Sequence, residues 1–134
     1  LGEEQFNQYR RSWDNPPPIL DKESEYSSQK DSLYKELKNV PNTESLKNTY
    51  DRVIPYFEKN IQEHLKQDKN IIISAHGNSL RALCKYLFNI SDKRINELEI
   101  PTGNPLIIFF NKNLKIEKCY YLDKEREKKI ILNQ

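Results

Sequence analysis

A chain of 134 residues fits a single domain with a modest interior. It is 36% apolar and 31% charged with a mean hydropathy of -0.91, which leans toward disorder, but 8 Tyr, 5 Phe and a patterned set of apolar residues oppose that reading. The net charge of +2 comes from 22 basic and 20 acidic residues that are interspersed, which argues against nucleic-acid binding, and no apolar run approaches the ~20 residues that a bilayer span needs.

Residues 3–12 read as the end of a helix, which Pro16-Pro17-Pro18 forces to stop because proline lacks an amide donor and fixes φ. The opening Leu1-Gly2-Glu3-Glu4 has no initiator Met and no signal-peptide pattern, as expected of a cytoplasmic chain cut from something longer. Residues 19–41 are rich in Ser and Lys and read as a variable surface loop, with a short candidate helix over Ser32–Leu37. From Thr43 to Gln67 the residues Leu46, Tyr50, Val53, Ile54, Phe57, Ile61 and Leu65 recur at helical spacing. Asn42 or Thr43 is the candidate cap, and Pro55 is expected to kink the helix. His64 sits on this helix as a surface residue.

Ile71-Ile72-Ile73-Ser74-Ala75 is β-branched without alternation, which predicts a central strand covered on both faces. A helix follows over 79–88, with Leu80, Leu83, Cys84, Leu87 and Phe88 as its buried side. A shorter helix is expected from Ser91 to just before Pro101. Thr102-Gly103-Asn104-Pro105 is a turn, and Leu106–Phe110 and Ile116–Tyr121 form a hairpin across Asn111–Leu114. The tail, 123–134, is expected to begin as a loosely held helix. Cys84 and Cys119 have no metal-ligand spacing, and only two His are present, so free thiols and no metal site are expected. The order helix–strand–helix–helix–strand–strand predicts an α/β fold.

The informative stretch is Ile71 to Leu83, where His76-Gly77-Asn78-Ser79 joins a buried strand to a helix. Ligands of open α/β sheets bind in that crevice, and a helix N-terminus there favours an anion. Gly77 permits close approach, Asn78 offers an amide, and His76 as an imidazolium would donate to a phosphoryl oxygen. Spacing alone leaves a second reading open, in which His76 only packs or caps the helix. Arg10 and Arg11 are likewise either a solvated helix face or a bidentate anion clamp.

This stretch resembles the second signature of the histidine phosphatase superfamily. Three more segments resemble its cofactor-dependent phosphoglycerate mutases: Gly2-Glu3-Glu4-Gln5 with Arg10-Arg11-Ser12-Trp13-Asp14-Asn15-Pro16-Pro17-Pro18, then Pro41-Asn42-Thr43-Glu44-Ser45-Leu46-Lys47, then Ile100-Pro101-Thr102-Gly103-Asn104-Pro105 continuing to Lys118-Cys119-Tyr120-Tyr121. Trp13 and Asn104 depart from the family pattern. The resemblance implies a three-layer α/β/α sandwich, here incomplete, with the chain 1–134 as the C-terminal part of one domain whose N-terminal strand and helices are absent. It implies that His76 stabilises a transferring phosphoryl group while Arg10, Arg11, Gly77 and Asn78 bind substrate. It implies phosphoglycerate substrates, 2,3-bisphosphoglycerate as the priming phosphoryl donor, no metal and no membrane. The Arg-His-Gly motif that carries the phosphorylated histidine does not occur in these residues, so the chain alone is expected to be inactive. Three alternatives stand beside the mutase: a phosphatase of the same superfamily, a non-catalytic module that binds anions or a partner, and a truncated product without a purpose of its own. An unpaired strand edge at 71–75 would also favour homo-oligomers.

Overall fold

The computed structural model describes residues 2–10, 12–37 and 40–132. The chain divides into two compact units, residues 1–48 and 49–134. Helices and a small sheet together make an incomplete α/β fold.

In the first unit α1 spans Glu3–Arg10, with Glu3 and Glu4 in its first turn and Arg10 in its last. Those charges suit the helix dipole at both ends. No residue of α1 is buried. Beyond the prolines the chain returns on itself: Lys47 N–H donates to the Trp13 carbonyl at 2.9 Å, and the Thr43 hydroxyl to the Pro17 carbonyl at 2.5 Å. The helix expected at Ser32–Leu37 is only a 3₁₀ turn over Ser32–Tyr34, preceded by another over Ser28–Lys30. Asp31 caps the second turn by accepting from Leu33 N–H at 2.9 Å. Leu33 is 82% exposed, so no apolar face exists to extend the turn into a helix.

The long amphipathic pattern becomes two helices, α2 (Leu46–Asn60) and α3 (Gln62–Lys66). The start differs from expectation. Ser45, rather than Asn42 or Thr43, is the cap: its hydroxyl accepts from Asn48 N–H at 3.2 Å, while Asn48 Oδ1 accepts from Ser45 N–H at 3.0 Å. This is a reciprocal capping box with Asn in the place of Glu or Gln, and Thr43 is held elsewhere by Pro17. Helix continues through Pro55, and α2 gives way to α3 at Ile61, which has φ -113° and ψ -43°.

In the second unit Ile54, Phe57 and Leu83 form a buried cluster, against which Tyr50, Val53, Ile61, Leu65, Tyr86 and Leu87 pack. Tyr86 meets the rings of Tyr50 and Phe57 edge-on at 6.5 and 6.1 Å, and its hydroxyl donates to Glu58 at 2.7 Å. That bond, ahead of burial, pushes the Tyr86 phenol above its usual range. Ala82, Cys84, Phe88, Ile90, Ile95, Leu98, Tyr121 and Ile131 are also buried.

Three further expectations need correction. Residues 71–76 form no strand; Ile72 is 96% exposed. A strand takes its hydrogen bonds from neighbours, and among the described residues no second strand reaches this run. The helix expected after Ser91 shrinks to a 3₁₀ turn at Ile95–Glu97, since Ile100 precedes Pro101 and is biased to extended backbone. Residues 123–132 hold no helix: Asp123 caps a turn by accepting from Glu125 and Arg126 N–H at 3.0 and 3.3 Å, and Ile131 is 1% exposed.

The hairpin forms as read. β1 (Leu106–Phe110) pairs antiparallel with β2 (Ile116–Tyr121), from Leu106 opposite Tyr121 to Phe110 opposite Ile116, with a bulge between Phe109 and Phe110. Asn111 Oδ1 closes the turn by accepting from Asn113 and Lys115 N–H. Gly103, at φ +68°, makes the preceding turn. Beside it Asn104 is buried and spans to Asp123 in both directions, donating to its carbonyl at 2.8 Å and accepting from its amide at 2.9 Å. An apolar residue at 104 could make neither bond.

Candidate functional site

The helix α4 spans Gly77–Leu87, and His76 is its N-cap, with φ -59° and ψ 146°. The His76 carbonyl accepts from Leu80 N–H at 3.1 Å, which starts the helical ladder. Its ring accepts at Nδ1 from Asn78 N–H at 3.3 Å. Accepting at Nδ1 leaves Nε2 as the ring nitrogen that can donate. Packing of Leu83 into the core fixes the helix from behind, while His76, Gly77 and Asn78 are all exposed. A Cβ added at Gly77 would meet nothing within 4 Å. Protein atoms do not demand a glycine there; the open side of the turn faces solvent.

Amides at the first turn of a helix, with the positive end of its dipole, suit an anion. His76, Gly77 and Asn78 lie on one such turn. Sequence reasoning missed Arg81, one turn along α4. Its guanidinium donates to Asn78 Oδ1 at 3.4 Å and to the Ile95 carbonyl at 3.0 Å, so it ties the turn to the 3₁₀ segment behind. The spacing of three from Asn78 along a helix was the signal that could have found it. Arg10 is exposed at the end of α1 in the first unit, its guanidinium 5.6 Å from the centre of the Phe6 ring. Arg11 lies outside the described residues.

The two thiols are poor nucleophiles at neutral pH. Burial pushes the Cys84 thiol up to about 12, and raises that of Cys119 as well, so neither supplies a thiolate. His64 is exposed, and its Nδ1 lies 3.2 Å from Lys69 Nζ. Among the described residues no three His, Cys, Asp or Glu side chains are grouped to hold a metal ion. No described helix is long and apolar enough to cross a membrane.

Matches to known proteins extend over this stretch and most of what surrounds it. The family model described as histidine phosphatase superfamily (branch 1) matches residues 11–117. Three similar proteins each bear the name 2,3-bisphosphoglycerate-dependent phosphoglycerate mutase. That of Pelagibacter ubique is 49% identical over 134 residues, covering 98% of this chain and 56% of its own length. That of Hyphomonas neptunium is 50% identical over 93% of this chain and 52% of its own length. That of Corynebacterium efficiens is 54% identical over 79% of this chain and 42% of its own. The chain thus spans about half the length of the curated relatives it matches.

Proposed function

The chain belongs to the histidine phosphatase superfamily, and from that membership we propose that it is the part of a phosphoglycerate mutase that carries His76. The activity of the whole would be the interconversion of 3- and 2-phosphoglycerate through a phosphohistidine that these residues lack. The relatives' names support this reading, and one observation carries it: an exposed imidazole caps α4 with Nδ1 occupied by the Asn78 amide and Nε2 left to donate.

In this reading His76 Nε2–H donates to an oxygen of the transferring phosphoryl group. Charge builds on those oxygens in the transition state, and a fixed donor at a helix N-terminus stabilises it without reorganising. The Gly77 and Asn78 turn holds the same group, and Arg10 and Arg11 take the substrate's carboxylate or phosphate. His76 and the turn at Gly77 would hold an anion such as 2,3-bisphosphoglycerate through the ring Nε2–H and the helix dipole, and that compound would supply the phosphoryl group that primes the histidine these residues lack. No metal is needed where cationic and N–H donors neutralise the charge.

The chain alone has no phosphate-accepting histidine in its proper context and is inactive in this reading. Incubation with 3-phosphoglycerate and 2,3-bisphosphoglycerate is expected to give no 2-phosphoglycerate and no acid-labile phosphohistidine. Amide resonances of Gly77 and Asn78 are expected to shift on titration with 3-phosphoglycerate. Phosphohistidine in the isolated chain overturns its inactivity; unmoved resonances at millimolar ligand overturn the site.

A further inference from the structure

Asn78 is held from two sides. Its backbone N–H donates to His76 Nδ1 at 3.3 Å, and its side-chain Oδ1 accepts from Arg81 Nη1 at 3.4 Å. The amide atom facing Arg81 must be the oxygen, because a guanidinium donates and never accepts. Neither bond uses Asn78 Nδ2, and the residue is exposed. The planar amide therefore keeps Nδ2 on the side away from Arg81, with both of its hydrogens to give. A surface asparagine without such a partner can turn outward either as acceptor or as donor. This one is held as a donor.

The group that holds it is itself anchored. Arg81 Nη2 donates to the carbonyl of Ile95, a fully buried residue 14 positions on, at 3.0 Å. Arg81 is half-buried, and the next three residues of α4, Ala82, Leu83 and Cys84, are buried. One arm of the guanidinium fork thus rests on fixed backbone while the other reaches Asn78, a division that a single ammonium could not copy. We infer that Arg81 is a positioning residue: by fixing Asn78 Oδ1 it presents Asn78 Nδ2 as a second donor, on the same turn as His76 Nε2, to a phosphate or carboxylate oxygen. The inference rests on the reading of this turn as a phosphoglycerate site, and adds to it a side chain that acts through Asn78 without touching the ligand. Oxygens of an ionised phosphate or carboxylate only accept, so a turn whose polar groups are all held as donors matches them.

The test titrates this chain with 3-phosphoglycerate and follows its amides by nitrogen-15 NMR. Asn78 Nδ2 is expected to be as ordered as the backbone, with an order parameter of about 0.85, and to shift together with the Gly77 amide. Arg81→Met is expected to weaken 3-phosphoglycerate about tenfold, the scale of one hydrogen bond to a charged group. In an Asn78→Ala background the same change is expected to cost less than about twofold, since the two residues then act as a unit. Arg81→Lys keeps the charge without the fork and is expected to weaken binding nearly as much as Arg81→Met. Equal losses in both backgrounds, or full binding by Arg81→Lys, overturn the inference, for Arg81 would then act directly, through charge alone or through general stability. An Asn78 Nδ2 order parameter below about 0.6, or a Gly77 amide that shifts while Asn78 Nδ2 does not, overturns it in the parent chain even if Arg81→Met fails to fold. Either of those results leaves the proposed function standing. Resonances of Gly77 and Asn78 that both stay unmoved overturn the site itself, and the positioning role with it.

Discussion

Adjacent segments of one stretch behave in opposite ways. The helix α4, Gly77–Leu87, is complete, with its cap, its ladder and a buried face of Ala82, Leu83 and Cys84. The five residues before His76, which carry the stronger strand signature, form nothing regular. A helix closes its hydrogen bonds within itself, so its own residues and one packed face suffice. A strand closes them against another strand, so the same local quality yields no structure without a partner. The chemistry proposed for His76 rests on the segment that is self-sufficient.

That contrast is open to its hardest test at His76. In a complete mutase carrying this stretch, His76→Ala is expected to lower kcat by about 10²–10⁴-fold, the scale of one well-placed donor, with thermal stability little changed. Turnover above half of normal would reduce α4 to scaffolding. Self-sufficiency of the helical part is tested next by Phe57→Ala. It empties the cluster of Ile54, Phe57 and Leu83 and is expected to cost about 3–5 kcal/mol in urea unfolding of this chain. A loss below about 1 kcal/mol would show that the cluster is not a core. Ser45→Ala removes one half of the capping box of α2 and is expected to cost about 1 kcal/mol by the same measurement, with Ser45→Gly restoring most of it.

The smallest effect concerns the tail. The hydrogen bond from Arg126 holds the Asp123 carboxyl below its usual range, against a smaller opposing effect of desolvation. A carboxylate lowered in the folded state contributes stability that is present above its unfolded pKa. That contribution is lost as pH falls through the lower folded value. Melting curves of the parent and of Asp123→Asn are therefore expected to converge as the pH drops below about 4, the ordinary carboxylate range. Curves that stay parallel to pH 2 would remove Asp123 from the account.

The helix N-terminus at His76 is legible in the sequence because its determinants are local. Strand-like residues followed by His76-Gly77-Asn78 and an apolar stripe at 80, 83, 84 and 87 identify a helix N-terminus from spacing alone, and the hairpin follows from two apolar runs around Asn111–Leu114. Boundaries are less legible. Ser45 and Asn48 cap α2 where Asn42 or Thr43 was expected, and Thr43 is held by Pro17, 26 residues away. Arg81 escaped notice because its partner, the Ile95 carbonyl, lies 14 residues on.

The sequence by itself determined the periodic helices, the hairpin, the position of His76 at a helix cap and the resemblance to one superfamily, since each depends on residues a few positions apart. Only the tertiary structure decided that Asn104 is a buried polar clamp to Asp123 and that Ile131 anchors the tail. It alone decided that Ile71–Ala75 goes unpaired. Those outcomes depend on which distant groups are present to accept a hydrogen bond or exclude water, and no local pattern contains that information.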